Sequence, residues 1–195
     1  MRQILGTTTL VIVALLIPTA VIGQEESFSL KTLHRQTGAP LQVAGALFND
    51  TSLKVLLLNV SGREITQVTM EVEMEDRSSQ AQLGTRSGNS CSTRVPPDGF
   101  LVVTEENAGY DAAATYLSGK GIKQKGVVVG VTNVRFADGS EWNYPLEVKG
   151  RFEEQPDEKL DQKIRDLTEK QFPGNDRWWA FPAAGAKQKF STCQK

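Results

Sequence analysis

Residues 68–75 read Val68-Thr69-Met70-Glu71-Val72-Glu73-Met74-Glu75, with apolar and polar side chains alternating without a break. A period of two marks a strand with one dry face and one wet face. Just upstream, Leu53 to Asn59 forms another strand-like run, followed by a tight Ser61-Gly62-Arg63 connection. The two runs read as antiparallel strands of a β-sandwich.

Further upstream, Phe28, Leu30 and Thr32 alternate, as do Leu41, Val43, Gly45 and Leu47, with Gly38-Ala39-Pro40 as the turn between them. Two strands are expected there. Leu53 to Leu58 is more continuously apolar, which suits a central strand covered on both faces. Downstream, residues 77–99 are rich in Ser, Gly, Arg and Gln and end in Pro96-Pro97-Asp98-Gly99, so a loop and a tight turn are expected, with strand character resuming at Phe100 to Thr104. Tyr110 to Leu117 fits either a helical turn or a short strand. From Val127 an apolar run reaches Phe136, and Asp138-Gly139 then leads into Trp142, Tyr144, Leu146 and Val148. An Asp-Gly pair between two such runs signals a hairpin. Short strands separated by turn chemistry make an all-β, antiparallel sandwich the expected architecture.

The pattern changes after Pro156. Leu160, Ile164 and Leu167 fall at i, i+4 and i+7, Asp157 and Glu158 open the segment and Lys170 closes it before Pro173-Gly174. This predicts a helix, with Asp161 able to reach Arg165 and Asp166 able to reach Lys170. Its three-residue apolar stripe is narrow and stabilises a docked helix only modestly, so docking on the sandwich is favoured with a solvated spacer as the alternative. The organisation read from the chain is therefore an export signal at 1–23, a β-sandwich at 24–152, a charged amphipathic helix at 153–172 and an aromatic tail at 173–195.

The signal is read from Arg2, the apolar run Leu10 to Ile17, Pro18 and the small or branched residues before Gly23, with cleavage expected ahead of Gln24. The run is shorter than the about 20 apolar residues a membrane span needs, so no membrane association is expected after cleavage. Export places the chain in the periplasm or outside the cell. Its two cysteines, Cys91 and Cys193, then meet an oxidising compartment, and a disulfide between them is expected.

The chain offers little for catalysis. A nucleophilic serine or cysteine usually needs an imidazole, and His34 is the one histidine, without a Gly-x-Ser-x-Gly elbow near it. The same count excludes a multi-histidine zinc site within one chain, and no cofactor or metal is expected. Glu71, Glu73, Glu75 and Asp76 form a row along a strand rather than a cage of oxygens, and are read as a solvated sheet face. Gly119-Lys120-Gly121 and Gly84 to Gly88 lack the spacing of a phosphate-cradling loop and are read as turns. Asn49-Asp50-Thr51 and Asn59-Val60-Ser61 match the glycosylation pattern and are assigned no role. The formal net charge of −1, with basic and acidic residues mixed along the chain, argues against a nucleic-acid partner. Trp178, Trp179, Phe181 and Phe190 crowd the tail. Packing against the sandwich is favoured, and contact of Trp178, Trp179 and Phe181 with a ligand is the alternative role.

Two segments, Leu57 to Ile65 with the alternating strand after it, and Val131 to Ser140, resemble the strand pairs of small exported bacterial immunoglobulin-like domains. FxLyD-type modules are similar in having an Asn-x-Ser-Gly turn before a long alternating strand. The resemblance implies a sandwich fold and brings no functional residue with it. The function expected is non-enzymatic: an interaction module for an envelope or extracellular protein or glycan. The alternatives are a carbohydrate-active hydrolase using carboxylates such as Glu105, Glu106 or Glu141, and a purely structural accessory domain.

Overall fold

The computed structural model describes residues 28–31, 33–48, 52–106, 109–174 and 191–193. The order of elements is β1 (Ser29–Lys31), β2 (Leu41–Phe48), β3 (Ser52–Asn59), β4 (Ile65–Asp76), β5 (Ala81–Val95), β6 (Phe100–Glu106), α1 (Tyr110–Gly119), β7 (Lys125–Phe136), β8 (Glu141–Asn143), α2 (Leu146–Lys149), α3 (Glu158–Gln171) and β9 (Ser191–Cys193). The first sheet runs β1-β7-β4-β5, with β8 on the same edge of β7 as β1, and the second runs β2-β3-β6-β9.

Alternation puts Val68, Met70 and Val72 of β4 and Val127, Val129 and Val131 of β7 into one interior with Leu53, Val55 and Leu57 of β3 and Leu101 and Val103 of β6. The fold is thus mostly β, with two sheets around a common core. It is not wholly antiparallel: β1 runs parallel to β7, and β9 parallel to β6. Hairpins impose antiparallel pairing on their own strands, whereas these first and last described strands reach their neighbours through long connections and are free of that constraint.

β3 and β4 are not partners. β3 pairs with β2 and β6, and β4 with β5 and β7, so the Ser61-Gly62-Arg63 connection crosses between sheets. Asn59 makes that corner. Fully buried, its Nδ2 donates to the carbonyls of Arg63, Val95 and Pro96 at 2.7, 3.0 and 3.1 Å, while its Oδ1 accepts from Ser61 N at 3.0 Å and Ser61 Oγ at 2.7 Å. One amide thereby satisfies backbone groups that neither sheet can pair. Asn59→Ala is expected to cost about 2–3 kcal/mol in urea unfolding, because the Val95 carbonyl stays buried without that donor and the corner loses its other amide hydrogen bonds. An unchanged midpoint would show that water replaces the amide there. The same burial keeps Asn59 from acting as a glycan acceptor in the folded chain, while Asn49 lies outside the described residues.

Residues 81–95 form the longest strand, not a loop, and Gly84 and Gly88 lie within it. Its polar composition hid it. β5 ends the order of its sheet, and an edge strand needs only an occasional inward residue; here Cys91 and Val95 point into the core while Ser90, Ser92 and Arg94 are exposed or half-buried outside it. Three register irregularities against β4 further erase a period of two. The turn at 96–99 forms as expected, with Gly99 N donating to Pro96 O at 2.9 Å.

In β2 a bulge between Val43 and Gly45 shifts the phase, so Ala46 and Phe48, rather than Gly45 and Leu47, pack on the core. The segment 110–119 is a helix. Its Tyr110 joins Phe28 and Phe48 in edge-on ring contacts at 6.3 and 4.9 Å that close one end of the interior. The hairpin after β7 uses a Gly139 at φ 82°, but its return strand stops at Asn143. Pro145 has no N–H for a ladder, and Leu146–Lys149 makes a helical turn instead.

β3 is the central strand its sequence suggests. Leu56 and Leu58 emerge on the outer face, where α3 covers them with Ile164 and Phe172. The Asp157 side chain accepts from Leu160 N at 2.9 Å as the N-cap. Asp161 does not reach for Arg165; it pairs with Arg35 at 2.6 Å, and Asp166 accepts from Gln162 at 2.6 Å. A partly buried partner on the sandwich outcompetes an exposed one along the helix.

The disulfide Cys91–Cys193 is present, with Cα atoms 5.9 Å apart. It ties β5, at the edge of the first sheet, to β9, at the edge of the second.

Candidate binding face

The outer face of β4 carries Glu71, Glu73 and Glu75, and this face is not solvated. Glu73 is 4 % exposed and Glu75 9 %. The cover is the strap from Tyr144 to Glu154. Tyr144 and Phe152 pack with Leu33 and Val128 as an outer apolar cluster, and Gly130 of β7 receives the Phe152 ring where a side chain would otherwise stand. The periodicity of β4 could not reveal a cover that comes from 70 residues away. The signal for it in the sequence is the run of apolar residues Tyr144, Leu146 and Phe152 after the hairpin, which require a surface to pack on.

Polar contacts hold the strap down. Tyr144 Oη accepts from Glu153 N at 2.6 Å, Thr37 N donates to Glu153 O at 3.0 Å, and Gln155 N donates to Arg35 O at 2.9 Å. Below it, the Gln36 side chain stands in for a strand partner: Nε2 donates to Val131 O at 2.7 Å and Oε1 accepts from Val131 N at 2.8 Å, between the stretches of β7 paired to β1 and β8. The β7 edge is thereby satisfied without a continuous strand.

Between strap and sheet lies a cavity of about 290 Å³ into which Lys31, Glu73, Glu75 and Arg151 face, walled by Val128 and Phe152. Glu73 Oε2 accepts from Phe152 N at 3.0 Å. Burial, with the neighbouring Glu75 charge adding to it, holds the Glu73 carboxyl above its ordinary value of 4.5, against the Phe152 hydrogen bond and the charges of Arg151 and Lys31. Glu154 is held below its ordinary value, first by the hydrogen bond from His34 N at 2.9 Å and also by Lys31. A second cavity, of about 480 Å³, has Glu71, Tyr144 and the exposed Val148 on its walls. A third, of about 700 Å³, lies between α3 and β2 beside Arg35 and Phe172.

A native carboxyl that binds its proton more tightly than the unfolded one contributes stability that is fully present below pH 4.5 and is lost as pH rises through the native value. Glu73→Gln keeps an acceptor for Phe152 N and removes that slope. Its thermal midpoint is expected above wild type at neutral pH, with the gap closing in acid. Equal midpoints at every pH would show that the native Glu73 carboxyl binds its proton no more tightly than the unfolded one.

His34 is exposed at its side chain, 3.9 Å from Asp161, and faces no nucleophile in the contacts described. Glu105 sits buried on β6 in the second sheet, and Glu141 on β8 is paired with Arg135 at 2.6 Å. Neither lines the three cavities above, and nothing is described of the Glu106 side chain. Trp178, Trp179, Phe181 and Phe190, like the signal segment 1–23, lie outside the described residues. Among the described residues no cluster of three or more His, Cys, Asp and Glu is placed to hold a metal ion, and no helix is long and apolar enough to cross a membrane. Comparison with protein-family models, with curated proteins and with solved structures returns no match.

Proposed function

We propose that this chain is an exported, non-enzymatic binding module of immunoglobulin-like design whose recognition face is the strap-covered face of the first sheet. The observation that carries the reading is the pair of buried carboxylates, Glu73 and Glu75, kept in a cavity rather than in solvent. Burying charge costs free energy, and folds retain such groups most often where they serve a site. The disulfide supports export, since bonds of this kind persist in oxidising compartments. The orders β2-β3-β6 and β8-β7-β4-β5 support the immunoglobulin-like reading, matching strands A-B-E facing G-F-C with an added edge strand. Glu73 and Glu75 lie side by side on one strand, which favours holding a ligand over the facing carboxylates of a hydrolase. Trp178, Trp179 and Phe181 remain proposed as additional contacts from the tail.

The test is thermal unfolding of the full, disulfide-bonded chain in the presence of fractions of the producing cell's envelope. A fraction should raise the wild-type midpoint and leave a Glu73→Gln/Glu75→Gln variant unmoved. No shift of wild type by any fraction, or equal shifts of both proteins, overturns the reading, and turnover of the stabilising compound replaces it with the hydrolase.

A further inference from the structure

The cavity under the strap has an uneven charge balance. Lys31 pairs with Glu154 at 3.5 Å, and Lys149 pairs with Glu153 at 2.6 Å. Those four charges cancel locally. Glu73, Glu75 and Arg151 are left on the lining, a surplus of one negative charge facing that space, while Arg77, whose stem lies beside that of Glu75, donates to Ser29 Oγ at 2.8 Å and is not part of the lining. Glu73 already accepts the Phe152 N–H, but Glu75, nine-tenths buried, has no hydrogen bond or ion pair among the described residues. Its stem lies over Gly126 beside the stem of Arg77, where an added Cβ would stand 3.0 Å from Glu75 Cγ and 2.8 Å from Arg77 Cγ. The little exposure left to Glu75 is at the cavity, and a ligand bringing N–H groups and one positive charge would give its carboxylate donors there.

The walls narrow the chemistry further. Phe152 and Val128 form an apolar side to the cavity, suited to a short alkyl stem, while two carboxylates two residues apart on one strand offer acceptors to a forked or threefold donor. A hard divalent ion would instead need six or more oxygens around it. Resting on the binding-module reading, we propose that the cavity binds an organic monocation of the alkylammonium or alkylguanidinium class, with Glu75 as its principal acceptor and Glu73 as its second. Such a group arrives either as a free amine or as the lysine or arginine side chain of a partner.

Calorimetric titration of the full, disulfide-bonded chain with n-butylammonium, n-butylguanidinium, uncharged n-butanol, calcium ion and a capped tripeptide with one central lysine tests this. At least one of the two organic cations should saturate the wild type, n-butanol should not, and Glu75→Gln should weaken the cation by at least about tenfold. Tighter binding of the tripeptide than of n-butylammonium identifies a partner side chain as the source; the reverse order identifies a free amine. Calcium binding that Glu75→Gln abolishes, with neither organic cation binding, overturns the ligand class while the face remains a binding site. Silence from every probe overturns the ligand class too, and the envelope-fraction experiment then decides the face independently. A Glu75→Gln chain that unfolds at or above the wild-type midpoint shows that lost affinity is not lost folding.

Discussion

Replacing Cys91 and Cys193 together by alanine is expected to lower the unfolding free energy by about 4–5 kcal/mol, the loop-entropy value for a bond spanning about 100 residues. The sequence separation is 102, and the bond joins the edges of two different sheets. Without it, β9 is left with a three-residue parallel pairing to Leu101, Val102 and Val103. Few hydrogen bonds hold so short an edge strand, so amide exchange at Ser191 to Cys193 should approach that of an unstructured segment while β3 and β4 stay protected. Alanine avoids placing hydroxyls in a core where both cysteines are buried. Urea unfolding of the variant against the oxidised parent measures the loss, and a difference under about 1 kcal/mol would mean that native-state strain cancels the entropic gain.

Gly130→Val is expected to cost about 3–5 kcal/mol, comparable to losing a buried phenylalanine. An added Cβ at position 130 would stand 2.5 Å from Phe152 Cδ1 and 2.6 Å from Cζ, closer than non-bonded carbons approach. The backbone of β7 cannot retreat, because Glu71 of β4 lies directly opposite Gly130 in the ladder. The ring must leave instead. With it goes the outer apolar cluster of Leu33, Tyr144 and Val128, and Glu73 loses the N–H of Phe152. Phe152→Leu in the Gly130→Val background should recover part of the loss, and that coupling separates a steric clash from a general effect on strand propensity. Purely additive costs in the double-mutant cycle would contradict the packing described here.

These effects show how far the chain could be read. The alternation of Val68 to Glu75, the apolar density of Leu53 to Leu58 and the i, i+4, i+7 spacing of Leu160, Ile164 and Leu167 are local, and each gave the correct element and the correct inward residues. The pairing of Cys91 with Cys193 was legible because two thiols in a chain expected to be exported leave few other outcomes. The candidate site was not legible. Glu73 and Glu75 read as solvated because a period of two reports which face a residue is on and not what lies over that face. Lys31 and Arg151 carried no signal at all, being ordinary charged residues until the fold sets them beside Glu73.

Local sequence thus determined the central strands, the docked helix and the crosslink, since side-chain periodicity and thiol chemistry act over a few residues or through a single possible partner. Tertiary structure alone decided that β3 and β4 part into different sheets at Asn59, that a polar stretch of 15 residues is an edge strand, and that a strap buries the carboxylates of β4. Backbone hydrogen bonds underlie each of those outcomes. They are satisfied by whatever element lies alongside, and the side chains of a strand do not record which neighbour that is.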